Sequence, residues 1–212
     1  MDEVFKCLAK RFLIEIEKAR IAGVKVNAAR LSDELGLSTD LVNGLVSRLK
    51  REGLITLRKE TLLLTNEGRK QLKVAVTGGV FDIVHLGHLK TLMEAKKRCD
   101  LLVVIIARDE TVLKTKSKRP VNNEEKRLKI VESLKPVDIA ILGDIKDFNK
   151  PLSKINPDLI ILGHDQELPP QLGKLMNKYV VERLNVHVDG ESTTNILNRI
   201  RNVLRKEDFK SD

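Results

Sequence analysis

Apolar residues recur every three or four positions near the start of the chain, between Val4 and Ala22. This period places them on one face of an α-helix, with polar residues on the other faces. The apolar set is Phe5, Leu8, Phe12, Ile16 and Ala19. The pattern therefore predicts an amphipathic first helix that buries one side.

Two shorter helices are predicted next, each between a capping residue and a glycine. Asn27 can cap a helix over 28–35 that stops at Gly36, because asparagine favours helix starts and glycine favours helix ends. Ser38 or Thr39 can cap another that runs to about Glu52 and stops at Gly53. The residues expected to face inward in this third helix are Leu41, Leu45, Val46 and Leu49.

A β-hairpin is predicted after the third helix. Apolar stretches at 54–57 and 61–64 flank the charged tip Arg58-Lys59-Glu60, and a last short helix begins near Thr65. Helix, turn, helix and hairpin in this order resemble a winged helix-turn-helix domain. Leu64 to Arg69 is also similar to the end of that module in MarR-like regulators. We assign residues 1–72 to this domain.

The resemblance implies that the third helix lies in the major groove of DNA and that the hairpin faces phosphates. The alternative is that the module dimerises or docks a protein. The candidate DNA-binding residues are Thr39, Asn43, Ser47, Arg48, Lys50 and Arg51 on the helix, and Arg58 and Lys59 on the hairpin.

From residue 73 onward, continuous apolar runs alternate with helical patterns. Apolar runs of this kind fill buried parallel strands, and the alternation predicts an α/β fold with a Rossmann-like parallel sheet. We assign residues 73–212 to this second domain. Strands are predicted at 73–76, 101–106, 138–142, 158–162 and 186–188, and helices at 88–95, 124–134, 170–183 and 194–205.

The first of these strands leads into a chemically distinctive stretch. Gly78-Gly79 is expected to turn the chain sharply, and His85 and His88 follow at the start of a helix. Imidazole N–H groups and a helix N-terminus both favour an anion, so the arrangement predicts a nucleoside triphosphate site. No Walker lysine loop occurs in the chain.

The stretch from Gly79 to His88 resembles the signature of the His-x-Gly-His nucleotidylyltransferase superfamily, whose members transfer a nucleotidyl group from ATP or CTP and release pyrophosphate. Val80 stands where adenylyl-transferring members often have Thr or Ser. The residue at this position therefore does not decide whether the nucleotide is ATP or CTP. The nucleotide contacts that the resemblance implies are Gly79, Val80, Phe81, His85, His88, Gly163, Asp165, Ser192, Thr193 and Thr194.

A basic loop from Lys114 to Arg119 is expected to close over the β,γ-phosphates. Arg119 is the first candidate and Lys118 the second, the alternative being a solvated loop. Arg127, near the start of the following helix, is predicted to reach the same anion. Its alternative is a contact with Asn123 or Glu124 on the same helix.

The second domain is further similar to archaeal FAD synthases, which transfer AMP from ATP to FMN. The similarity includes Val104 to Val112, Arg119-Pro120 and Leu162 to Gln166. It implies Mg²⁺ on the triphosphate, His85, His88 and Arg119 as catalytic residues, and acceptor contacts from Asp82, Arg108 and Asp109. A cytidylyltransferase acting on glycerol 3-phosphate or a similar ester stays open, as does a nucleotide- or flavin-sensing transcription regulator.

Composition limits the class of protein without deciding its function. Net charge is +9, spread over both predicted domains, which suits nucleotide as well as nucleic-acid binding. No apolar run is long enough to cross a bilayer and no secretory signal is recognised, so we expect a cytoplasmic protein. Cys7 and Cys99 are far apart and predict neither a disulfide nor a metal site. We also expect a homodimer.

Overall fold

A computed structural model of the chain describes residues 3–164, 166, 178–186, 188 and 190–208. Its N-terminal part contains helices and one hairpin, in the predicted order. These elements are α1 (Glu3–Ala22), α2 (Ala28–Leu35), α3 (Thr39–Arg51), β1 (Ile55–Arg58), β2 (Thr61–Leu64) and α4 (Asn66–Lys70).

The remaining described elements alternate between strands and helices, as predicted. They are β3 (Val74–Gly79), α5 (Leu86–Lys96), β4 (Leu101–Ile106), α6 (Asp109–Lys116), α7 (Glu124–Glu132), β5 (Ile139–Leu142), α8 (Asn149–Ile155), β6 (Leu159–Leu162), β7 (Val180–Arg183) and α9 (Thr193–Asp208).

Local sequence explains the helix boundaries of the N-terminal part. The side chain of Asn27 accepts a hydrogen bond from the Arg30 N–H and caps α2, and Ser38 caps α3 in the same way from Leu41. Gly36 ends α2 in the left-handed conformation, with φ 63°. Leu41, predicted to face inward, is 43% exposed, and Val42 is fully buried in its place. Leu45 and Leu49 are buried as predicted and Val46 is partly buried, so the prediction is wrong only at Leu41.

The five strands of the second part form one parallel sheet in the order β5-β4-β3-β6-β7. Strand order reverses beside β3, which pairs with β4 on one side and β6 on the other. At such a point the carboxyl ends of neighbouring strands leave a crevice where ligands bind. The fold is therefore the α/β Rossmann-like arrangement that the sequence predicts, and it places the end of β3 at the crevice.

Both faces of the sheet are covered by helices. One face, which includes Val76 and Val103, packs against Phe12 and Ile16 of α1. The opposite face packs against α5 and α7. Its buried residues include Ala75, Leu102, Val104, Ala140 and Ile161 from the sheet, and Leu92, Ala95 and Val131 from these helices. Part of the sheet is thus covered by a helix from the N-terminal region.

A network of charges joins the N-terminal region to the sheet. Glu17 on α1 is fully buried and bonds Arg20 at 2.7 and 2.8 Å, and Arg69 of the α4 helix lies 3.3 Å away. Arg69 pairs with Asp158 at 2.9 Å, just before β6. Both arginines also donate to backbone carbonyls within 154–156. Because these contacts lie at the amino ends of the strands, the carboxyl ends stay open.

Several sequence predictions need correction. The predicted helix over 170–183 is wrong at its end, because Val180–Arg183 forms β7 and pairs with β6. The predicted strand at 186–188 does not form at Val186 or Val188. The short helices α6 and α8 were not predicted. Alternation of apolar residues cannot separate short strands from short helices, and pairing with β6 decides this region.

No helix in the described ranges combines the length and the apolar character needed to cross a bilayer.

Replacing Glu17 by Gln should lower the free energy of unfolding by about 2–4 kcal/mol, because it leaves two arginines without their buried carboxylate. The loss should appear as one cooperative transition for the whole chain, measured by denaturant unfolding. Glu34→Gln is the matched control, since its Arg30 partner is on the surface, and it should change stability by less than about 0.5 kcal/mol. Two separate transitions in the Glu17 variant would contradict a shared core.

Candidate active site

The two histidines of the motif lie together beyond the end of β3. His85 is the residue just before α5, with an extended backbone, and His88 lies in the first turn. Their ring centroids are 3.9 Å apart and the ring planes are tilted by 35°. The Phe81 ring is buried and its centroid lies 5.0 Å from that of His88. The structure therefore brings the predicted pair together, with Phe81 packed beneath it.

The sequence predicts that Gly78 and Gly79 make the sharp turn before the histidines, and this prediction is wrong. Gly78 and Gly79 complete β3, and the chain turns at Phe81, which has φ 51°. A Cβ atom at Gly79 would lie 2.7 Å from Cε2 of Phe81. Glycine is therefore needed here for space, because the turned Phe81 ring folds back over it.

Gly87 sits in an equally restricted place between the histidines. A Cβ atom there would lie 3.0 Å from Cε1 and Nδ1 of His85 and 3.5 Å from the carbonyl oxygen of Glu191. The start of α9, although more than a hundred residues further along the chain, is thus next to the start of α5. Two helix N-termini meet beside the histidine pair, and both favour an anion.

Burial lowers the pKa of His85 below its usual 6.5, and the nearby Glu191 carboxylate partly opposes this shift. The ring is therefore mostly neutral at pH 7. Its Nδ1 is buried without a hydrogen bond in the described part of the chain. A neutral imidazole has one donor and one acceptor nitrogen, so the ring can offer one N–H to a phosphate.

The Ser-Thr-Thr stretch forms the start of α9. Ser192 Oγ accepts a hydrogen bond from the Asn195 N–H at 3.1 Å and its carbonyl oxygen accepts from Ile196. This confirms the predicted helix cap. Thr193 is partly exposed and Thr194 is exposed.

The end of β6 is tied to the end of β3 by Gln166, which the sequence analysis did not single out. Its amide oxygen accepts from the Gly163 N–H at 3.0 Å, and its amide nitrogen donates to the Gly78 carbonyl at 2.9 Å. Gly163 therefore borders the crevice. Asp165, predicted to contact the nucleotide, lies outside the described residues.

Asp82 holds a neighbouring loop. Its two carboxylate oxygens accept from the N–H groups of Val121 and Asn122, both at 2.9 Å, and the Asn122 side chain donates back to the Asp82 carbonyl. The predicted acceptor contact would have to use the same oxygens. The structure shows Asp82 fastening the loop to the histidine segment.

Arg127 corrects the sequence prediction most clearly. Its side chain is fully buried and all three of its nitrogens donate to protein acceptors. Its guanidinium pairs with Asp109 at 2.6 Å. Of the predicted alternatives, Asn123 accepts only from the Arg127 backbone N–H, at 3.0 Å, and Glu124 does not pair with the side chain. A guanidinium enclosed in this way faces protein atoms and not the crevice.

The other predicted acceptor residues are also engaged. Asp109 exchanges hydrogen bonds with Glu124, its N–H donating at 2.7 Å and its carboxylate accepting from the Glu124 N–H at 3.2 Å. Arg108 pairs with Glu124 at 2.8 Å. Glu124 was missed as a site residue, because its partners lie 15 and 16 residues earlier and no local pattern links them.

The basic loop is shorter than predicted. α6 runs to Lys116, so Lys114 lies on a helix, and the left-handed Ser117 (φ 52°) starts the loop. Lys118 and Arg119 are exposed, and in the described structure neither side chain forms a hydrogen bond or ion pair. Both are therefore available to a phosphate.

An open cavity of about 550 Å³ lies elsewhere, on the solvent side of α5. It is lined by Lys90, Met93, Glu94, Arg98, Asn185 and Val186. Neither histidine borders it, so it is separate from the histidine pair.

The candidate DNA-binding residues are exposed, apart from Arg48, which is half-buried. Arg48 pairs with Glu52 at 3.0 Å, and its guanidinium carbon lies 3.4 Å from the centroid of the Phe5 ring. It is therefore held inside the N-terminal region. The exposed residues are Thr39, Asn43, Ser47, Lys50, Arg51, Arg58 and Lys59.

Known proteins resemble the second part of the chain. A sequence model described as cytidylyltransferase-like matches residues 76–211. The FAD synthase of Ferroglobus placidus is 48% identical over 136 residues, which are 61% of this chain and 88% of the relative. The FAD synthase of Archaeoglobus profundus is 42% identical over 137 residues, 61% of this chain and 87% of the relative.

A solved structure also matches this part. The crystal structure of the lipopolysaccharide core biosynthesis protein from Thermoplasma volcanium is 38% identical, with a TM-score of 0.51. The match covers 55% of this chain and 99% of that chain.

Gly87→Ala tests the histidine geometry. Alanine should not harm the helix itself, but its methyl group should displace the His85 ring, lowering affinity for a nucleoside triphosphate at least about tenfold. Binding is measured by calorimetry. Gly44→Ala is the control, because a Cβ there meets no atom within 4 Å. It should raise stability by about 0.5–1 kcal/mol and leave affinity unchanged. Equal affinities in both variants would argue against the site.

Proposed function

This chain belongs to the cytidylyltransferase-like family, and on that premise we propose that it transfers AMP from ATP to FMN, producing FAD and pyrophosphate. The stacked histidines at the start of α5, beside the start of α9, carry the proposal. They provide a place for a triphosphate. The two FAD synthase relatives, at 48% and 42% identity, support FMN as the acceptor.

In the proposed reaction an oxygen of the FMN phosphate bonds to the α-phosphorus of ATP, and the bond from the α-phosphorus to the oxygen bridging to the β-phosphate breaks. Pyrophosphate carries away the electron pair of that bond. Such a transfer needs alignment and neutralisation of spreading phosphate charge, and needs no covalent nucleophile. We assign the α- and β-phosphate oxygens to His85 and His88, and the leaving group to Arg119, with Lys118 beside it.

The nucleotide would lie between the ends of β3 and β6 and the start of α9. We assign Gly79, Val80 and Gly163 to backbone contacts, Phe81 to the support of His88, and Ser192, Thr193 and Thr194 to the triphosphate. Asp82, Arg108 and Asp109 would border the acceptor on the β4 side. Their engagement in protein contacts makes them the weakest of these assignments, and Asp165 is kept on the family resemblance alone.

Mg²⁺ suits this chemistry as a partner of the triphosphate. The described residues contain no group of three or more histidine, cysteine or carboxylate side chains placed to hold a metal ion. With nucleotides, Mg²⁺ is usually held mainly by phosphates and water. When bound it neutralises phosphate charge.

A pyrophosphate-release assay tests the function. ATP and CTP are each combined with FMN, glycerol 3-phosphate, phosphocholine and phosphopantetheine, and products are identified by chromatography. The proposal expects FAD from ATP and FMN. Turnover of CTP with glycerol 3-phosphate would favour the cytidylyltransferase, which Val80 and the family name keep as the second candidate.

His88→Ala should lower kcat for FAD formation by about 10²–10³, the range for loss of one transition-state donor. Lys90→Ala, two residues further along α5 and exposed, is the control and should keep full activity. An unchanged kcat in the His88 variant would remove this residue from the catalytic set.

We further propose that the N-terminal region is a winged helix-turn-helix module that binds double-stranded DNA, whether as part of the enzyme or as a nucleotide- or flavin-sensing regulator. Support comes from the exposed basic residues on α3 and the β1–β2 hairpin. Lys59 and Glu60 form its tip with φ 46° and 63°, which glycine or asparagine adopts more easily. Of the two, Lys59 is exposed and positively charged, which suits a phosphate contact. A homodimer, the usual form for binding two half-sites, belongs to the same proposal.

DNA binding is measured by electrophoretic shift with random duplex at several salt concentrations. Lys59→Ala should reduce the slope of log K against log salt concentration by about one, as expected for one lost phosphate contact. Lys129→Ala, on the exposed side of α7, should leave the slope unchanged. If the wild-type chain shows no salt-sensitive binding, the module serves protein docking or dimerisation.

A further inference from the structure

Two charged side chains are buried in the described structure, Glu17 and Arg127. Glu17 belongs to the charge network that joins the N-terminal region to the sheet. Arg127 lies at the opposite end of the strands, behind the histidine segment. A buried guanidinium is retained only where its donors are satisfied, so its partners indicate what it holds together.

The partners of Arg127 come from separate loops. Its Nη1 donates to the Val80 carbonyl at 2.5 Å, between β3 and the histidines. Its Nη2 donates to the Ala107 carbonyl at 2.7 Å, just after β4. Its Nε donates to the Asn122 carbonyl at 3.0 Å, at the end of the basic loop. One planar group therefore fixes the spacing of three loops at the crevice.

A second set of hydrogen bonds, which does not involve Arg127, joins the histidine segment to the basic loop. Asp82, two residues after Val80, binds the backbone of Val121 and Asn122 and receives the Asn122 side chain. The basic loop with Lys118 and Arg119 is therefore fastened to the segment that carries His85. Its other end at Ser117 stays exposed.

Resting on the proposed function, we propose that Arg127 is a positioning residue, which holds the histidine segment and the base of the Lys118–Arg119 loop in one arrangement around the triphosphate. It acts through the Val80 and Asn122 carbonyls and makes no contact with the nucleotide. Reaching the nucleotide would require it to leave the carbonyls of Val80, Ala107 and Asn122 unpaired, which is energetically unfavourable.

Arg127→Lys tests the proposal, because one ammonium group cannot span three carbonyls in the planar arrangement of a guanidinium. We expect kcat for FAD formation to fall by about 10- to 100-fold, the effect of a small misplacement of catalytic groups. KM for ATP should change by less than about threefold, since no ground-state contact is removed. The imidazole resonances of His85 and His88 should shift in the NMR spectrum of the free protein.

Arg69→Lys is the matched control. Arg69 is also a largely buried arginine that pairs with a carboxylate and donates to carbonyls, but it lies at the amino ends of the strands. Its replacement should lower stability while leaving kcat and the histidine resonances unchanged. This comparison separates positioning from a general loss of stability.

Asn122→Ala keeps the proposal testable if Arg127→Lys does not fold. It removes only the side-chain bond to the Asp82 carbonyl and should lower kcat in the same direction by a few fold, with a smaller shift of the His85 resonance. Unchanged kcat and spectra in every variant that folds would overturn the proposal. So would a raised KM for ATP at unchanged kcat, which indicates direct contact.

The spectra also separate this proposal from the proposed function. If the wild-type chain forms no FAD, the assignment of FMN and ATP fails. Histidine resonances that move in Arg127→Lys and not in Arg69→Lys would still support the positioning role.

Discussion

A parallel sheet has to be covered on both faces, because its strands carry apolar side chains in both directions. In this chain α5 and α7 cover one face, and α1 covers part of the other with Phe12 and Ile16. The N-terminal region is therefore part of the core on which the sheet depends. No flexible linker separates this region from the sheet, because Leu72 is already buried directly before β3 begins.

The relatives place this arrangement in context. The matched residues make up 88% and 87% of the two FAD synthases and 99% of the solved structure, so these proteins have little room for a region like residues 3–72. The family model matches residues 76–211, so the α1 helix that covers part of one sheet face lies outside the matched range.

A buried charged side chain lies at each end of the strands, Glu17 at the amino ends and Arg127 at the carboxyl ends, and the two connect different parts of the chain. At the amino ends, Glu17 and the arginines around it join two parts of the chain. At the carboxyl ends, Arg127 joins loops that carry the histidines and the basic residues. In both places an arginine bridges backbone carbonyls that no strand can satisfy. The contacts between the N-terminal region and the sheet lie at the amino ends of the strands, so they leave the carboxyl ends free for a ligand.

The sequence by itself determined the elements and the central motif. Periodicity, caps and apolar runs located α1 to α3, the hairpin and β3 to β6, because these signals are local. The histidine pair was also readable, since its spacing around Gly87 places both rings at one helix start. Tertiary structure decided what each polar side chain does. Arg127, Asp82 and Glu124 each have partners between 15 and 47 positions away, and no local pattern encodes such partners. Tertiary structure also decided that residues 180–183 form the strand β7. A short apolar segment becomes a strand only where a neighbouring strand, here β6, has a free edge to pair with it.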